Sequence, residues 1–153
     1  PAVRDAQIVE RIEQPWRSGV RKPQHGQHAQ VLVAELRLDP AEQAFALFFD
    51  ALFFMEIAGE FRESAEYAER SLELARTLTP HERMHGTYTV MHARYHLGTW
   101  SELDALATEH VAALASEPGI GCPYARAGQL FAALGLAHQG RLDRAAELAS
   151  AKE

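Results

Sequence analysis

The sequence predicts an all-α fold in which antiparallel helical hairpins stack as an α-α superhelix. Three observations carry this expectation. The chain is rich in Ala and poor in Val and Ile, which favours helix over strand by intrinsic propensity. A short pattern recurs three times, as Gly59-Glu60-Phe61-Arg62-Glu63, Gly98-Thr99-Trp100-Ser101-Glu102 and Gly140-Arg141-Leu142-Asp143-Arg144, at spacings of 39 and 42 residues. Each copy holds a glycine, a polar residue, a bulky apolar residue and two polar residues suited to a helix start. Finally, Pro40, Pro80 and the Pro118 to Pro123 loop fall between the units so marked, where proline opens a helix but would break its interior.

The elements follow in order. Helices are expected at about residues 41–58, 61–78, 81–97, 100–116, 123–138 and 142–152, two to a unit. Each turn glycine follows an apolar-rich segment and precedes an amphipathic one, as a glycine ending a helix in the left-handed conformation does. In the helix after Gly59, Phe61, Ala65, Ala68, Leu72 and Ala75 recur at three- and four-residue steps with Arg and Glu between them, so it packs on one side. Upstream, Ala2 to Gln14 and Gln27 to Leu38 read as two further helices, separated by a breaker-rich loop, Ser18 to Gly26. Gly19 stands 40 residues before Gly59, which makes residues 1–40 a candidate degenerate first unit ahead of units 41–79, 80–118 and 119–153 within one domain.

Composition narrows the function classes. A chain of 153 residues can bury a core, and its formal charge of −6 argues against nucleic acid or an anionic lipid surface as partner, either of which rewards a basic patch. No stretch reaches the roughly 18 to 20 apolar residues of a membrane span. The longest candidate, Phe45 to Ile57, is interrupted by Asp50 and Glu56. One cysteine, Cys122, excludes an internal disulfide and is read as structural in a reducing, cytoplasmic setting. The opening at Pro1, without a Met or a signal-peptide pattern, leads us to expect a piece of a larger protein. Arg supplies 13 of the 15 basic residues, which points to a GC-rich bacterial source.

Gly59 to Ala75 and Gly140 to Ala149 resemble the second half of a tetratricopeptide repeat: a turn glycine, then an aromatic or aliphatic residue, then small residues on the packed face. The resemblance covers about residues 41–152. It departs from the family in a period near 40 rather than 34, in Ser64 and Leu103 where the family favours Ala, and in lacking the tryptophan-leucine-glycine start. Such looser repeats are similar to those in the helical regions of bacterial adenylate cyclase-like and LuxR-type signalling ATPase proteins. The resemblance implies a right-handed solenoid whose units stack because a lone hairpin cannot bury its apolar face. It also implies that the first helix of each unit lines a concave surface. Counting back from the turn glycines, that lining is Ala46, Phe49, Phe53, Glu56 and Ile57, then His85, Tyr88, His92, Tyr95 and His96, then Ala127, Leu130, Leu134, Ala137 and His138. The implied function is binding of a peptide or partner domain, with Phe49, Phe53, His85, Tyr88, His92, Tyr95 and His96 as contacts. An intramolecular regulatory arm of a signalling protein is the alternative. Neither reading requires a cofactor or a catalytic residue.

Two patterns within the third expected helix invite chemistry. His81-Glu82-Arg83-Met84-His85 matches HExxH, in which histidines one turn apart hold zinc and the glutamate acts as general base, with Glu102 or Glu109 as a possible third ligand. Pro80 directly before His81 places the motif at a helix start, whereas zinc peptidases carry it inside a long helix, so a zinc-dependent hydrolase is set against the simpler reading of a repeat helix. At about 100° per residue, His81, His85, His92 and His96 share one stripe, which can act as wet contact surface, metal ligands or a pH-responsive face. No serine elbow and no phosphate loop with its lysine is present, Gly119-Ile120-Gly121 being a loop alone.

Overall fold

The computed structural model describes residues 38–117 and 122–150. The proposed degenerate unit at 1–40 therefore lies almost wholly outside the described residues. Among those described, every regular element is a helix and no strand occurs. We number them α1 (Pro40–Leu52, continuing as π-helical turns over Phe53–Ala58), α2 (Phe61–Ala75), α3 (Pro80–Leu97), α4 (Leu103–Ser116), α5 (Pro123–His138) and α6 (Leu142–Ser150).

Local chemistry sets the boundaries. Asp39 caps α1: its Oδ1 accepts from the backbone N–H groups of Ala41 and Glu42, each at 2.9 Å, while Glu42 accepts from the Asp39 N–H at 3.0 Å. This reciprocal box satisfies donors that the first turn leaves without partners. Pro40, Pro80 and Pro123 each occupy the first helical position, where the missing N–H costs nothing. All three turn glycines have positive φ, at 69°, 71° and 75° for Gly59, Gly98 and Gly140. After α3, Thr99 N–H reaches back to Arg94 O and Gly98 N–H to Tyr95 O; after α5, Arg141 N–H reaches Leu136 O and Gly140 N–H reaches Ala137 O. These paired bonds close the ends of both helices.

Three expected spans change in detail. The first helix is not α-helical to its end, and the N–H of Glu60 bonds six residues back to Phe54 O. α2 stops at Ala75, because Thr77 and Leu78 tighten into a turn on Leu74 and Ala75. α4 begins at Leu103 rather than near 100, since Trp100 turns its indole N–H onto the Tyr95 carbonyl at 3.1 Å.

Each helix packs on the next, and α3 also meets α1 and α5. That central position explains why α3 is buried on most sides, with Met84, Thr87, Tyr88, Val90, Met91, His92 and Ala93 all inside. Its polar residues are satisfied in place. Thr89 donates back to carbonyls of its own helix, and Thr87 Oγ1 lies 2.8 Å from His110 Nδ1 on α4. His110 Nε2 in turn lies 2.7 Å from the Ala125 carbonyl on α5. A carbonyl only accepts, so Nε2 carries the proton and Nδ1 accepts from the Thr87 hydroxyl. One neutral imidazole thus ties three helices together. No described helix is long and apolar enough to cross a membrane.

Candidate functional site

An open groove of about 550 Å³ is lined by Phe45, Phe48 and Phe49 of α1, His81 and His85 of α3, Glu117 at the end of α4, and Cys122, Pro123 and Tyr124 at the entry to α5. The four-residue step from Phe45 to Phe49 puts both rings on one face of α1, where they meet edge to face at 4.7 Å. Phe48 points inward instead, stacks on His85 at 4.7 Å and meets Tyr124 edge-on at 5.2 Å. From there rings continue along α3 and α5. Tyr88 contacts Tyr124 at 4.9 Å, His92 stacks on Phe131 at 3.8 Å, and His96 stacks on Phe61 of α2 at 4.6 Å.

The seven expected contact residues divide by depth. Phe49 and Phe53 are 50% and 41% exposed, His96 is exposed, and His85 and Tyr95 are half-buried. Tyr88 and His92, at 4% and 9%, lie inside the seam of rings, where Phe131 of α5 packs against both. They form the bed of the surface rather than the surface. Tyr88 further holds its hydroxyl 3.2 Å from His92 Nδ1. Burial drives the phenol of Tyr88 up, followed by the charge of Glu56 and then Tyr124, and it lowers His92 to about 4, with His96 adding to the effect.

The histidine stripe separates into two pairs. His92 and His96 lie 5.0 Å apart between ring centres, with the first of them committed to its stack on Phe131. His81 and His85 lie 4.5 Å apart and are joined by Cys122, whose Sγ stands 3.2 Å from His85 Nε2. One ligand atom from each of His81, His85 and Cys122 lies within 4.8 Å of the others, and no other such grouping of His, Cys, Asp and Glu occurs among the described residues. Burial, then the neighbouring charges of His81 and His110, lowers His85 to about 4. The Nε2 atom of His81 is shut off from solvent and meets no hydrogen-bond partner among the described residues.

The other members of the HExxH pattern have partners outside this cluster. Glu82 accepts from the Thr79 hydroxyl at the start of α3 and does not line the groove that holds both histidines. Glu109 pairs with Arg76 at 2.9 Å, and Glu102 with Arg94, and neither belongs to the cluster of His81, His85 and Cys122. Cys122, read from the sequence as structural, is the third residue of the cluster. Phe45, Tyr124 and Phe131 were also missing from the expected contacts. Phe45 was within reach, one turn before Phe49 on the same face, whereas Tyr124 and Phe131 become neighbours of α3 only through the packing of α5.

No family model, curated protein or solved structure matches this chain.

Proposed function

We propose that this chain is a protein-interaction module of tetratricopeptide-like architecture, in which the hairpins stack as a right-handed superhelix and the face built by α1, α3 and α5 receives a peptide. Its work is binding rather than chemistry. The observation that carries this reading is the stripe of exposed large apolar residues on α1 and its extension, Phe45, Phe49, Phe53 and Ile57, each four residues from the last. Leu130 and Leu134 repeat the same step on α5. A folded chain gains nothing in stability by keeping such a row in water, and contiguous apolar surface of this kind marks contact sites. Beside the stripe, the groove offers an aromatic pocket with room for an anchoring side chain, its rings already in contact with one another.

The partner that fits is an amphipathic helical peptide with aromatic or aliphatic anchors one turn apart. Basic residues flanking those anchors would be drawn by the net charge of −6. A segment carrying this pattern elsewhere in a bacterial signalling polypeptide would make the same face a regulatory arm.

Panning a random peptide display library on the whole 153-residue chain tests the reading. Enriched peptides should share apolar anchors at helical spacing and should lose binding to Phe49→Asp and to Phe53→Asp. Enrichment no better than on the bare support, or peptides indifferent to both substitutions, would refute it.

A further inference from the structure

The groove wall carries a second chemistry, independent of any peptide. We propose that His81, His85 and Cys122 form a binding site for a single zinc ion, held by two imidazole nitrogens and one thiolate.

The donor set is the first argument. Imidazole together with thiolate suits zinc among the common divalent ions, while magnesium and calcium take oxygen donors. Geometry is the second. Ligand bonds of about 2.0 to 2.3 Å in a tetrahedron place neighbouring donor atoms about 3.5 Å apart. His85 Nε2 and Cys122 Sγ already stand at 3.2 Å, and all three donor atoms fall within 4.8 Å, so closure on an ion needs only side-chain adjustment of about 1 Å. The two histidines sit one turn apart on α3, and Cys122 is held by its place as the residue before Pro123 at the start of α5. The histidines are thus placed by one helix and the cysteine by its position directly before another, where its backbone is extended.

The third argument is the condition of His81. Its Nε2 is cut off from solvent and meets no hydrogen-bond partner among the described residues, a condition that a bound ion would relieve. On binding, the thiol of Cys122 gives up its proton to solvent and the sulfur takes the metal as thiolate. Three protein donors leave the fourth position to water or to a donor atom of whatever occupies the groove, because all three residues line it.

Titration with cobalt(II) as a spectroscopic stand-in for zinc, under reducing conditions, tests the site. One equivalent per chain should produce a near-ultraviolet thiolate-to-cobalt charge-transfer band that zinc displaces. The band should vanish in Cys122→Ser. In His81→Ala and His85→Ala the affinity should fall about 100-fold or more, since even loss of a residue behind a ligand costs about 10- to 100-fold. His138→Ala should leave the affinity unchanged. Because Cys122 is the chain's one thiol, alkylation by iodoacetamide gives a readout on the unaltered protein, and zinc should slow it about tenfold or more. No charge-transfer band at one equivalent, a band that survives Cys122→Ser, or alkylation indifferent to zinc would each overturn the site. The alkylation result decides the matter if a variant loses its helical circular dichroism.

Discussion

The hydroxyl of Ser64 on α2 donates to the backbone carbonyl of Ala51 on α1 at 2.8 Å, out of reach of solvent. Seven residues along each helix, in opposite directions, Ser71 makes the same bond to Ala44 at 2.8 Å. Two buried bonds with matched spacing fix how far one helix of the hairpin can slide along the other. Ser64 is small enough for close packing, with a hydroxyl that finds a partner.

Ser64→Ala removes that bond and should cost about 0.5–1.5 kcal/mol, reduced by the few tenths that Ala returns in helix propensity. Ser64→Val should cost more, by crowding a closely packed contact. Urea denaturation of the three proteins checks the order. Equal or greater stability of Ser64→Ala would show that the bond contributes nothing net.

Gly128 faces His110 so closely that an added Cβ would come within 2.6 Å of the ring. That ring is held at both nitrogens and has no room to turn aside. Gly128→Ala should therefore lower stability by about 1–3 kcal/mol, although in a free helix the same change would stabilise by about 1 kcal/mol. A thermal melt distinguishes the two signs at once.

Acid should weaken the fold through His92 and His110. Burial lowers the pKa of both in the folded chain, His92 from 6.5 to about 4, so between those values the unfolded chain binds more protons. Stability is then fully present above about pH 6.5 and falls as pH drops towards 4, by on the order of 3 kcal/mol at most for His92. The groups around the His92 ring are the Tyr88 hydroxyl, His96 and Phe131, none of them an anion that would retain the proton. Denaturation midpoints at a series of pH values should give a shallower acid limb for His92→Gln. An unchanged limb would assign the effect elsewhere.

Phe48 and Phe49 are neighbours in sequence with opposite duties. Phe48, 1% exposed, packs on His85 and Tyr124, and Phe48→Ala should cost about 3–5 kcal/mol. Phe49→Ala should cost under about 1 kcal/mol and be felt in binding instead. Comparing the two by denaturation and by affinity for a selected peptide separates scaffold from surface.

What the sequence disclosed followed its local chemistry. Turn glycines and helix-opening prolines act through their own backbone, so the hairpin boundaries were legible to within a few residues. The faces of α1 were legible because its apolar spacing is regular. Depth was not. Tyr88 and His92 share a helical stripe with exposed His96, and it is Tyr124 and Phe131, arriving on a helix more than 30 residues later, that cover the first two. The Cys122 cluster escaped notice for the same reason: Cys122 stands 37 residues beyond His85, and nothing near it in sequence hints at a histidine.

The widened turn at Phe53–Ala58 gives α1 an adjustable phase. One residue more or less in a helix rotates everything beyond it by about 100°. α1 has two alignments to honour: upstream, Phe48 beneath His85 and the Ala44 and Ala51 carbonyls against α2; downstream, the reversal at Gly59 that starts α2. A strictly α-helical path of this length would swing one set out of line with the other. The broader turn takes up the difference inside the helix itself, without a longer loop.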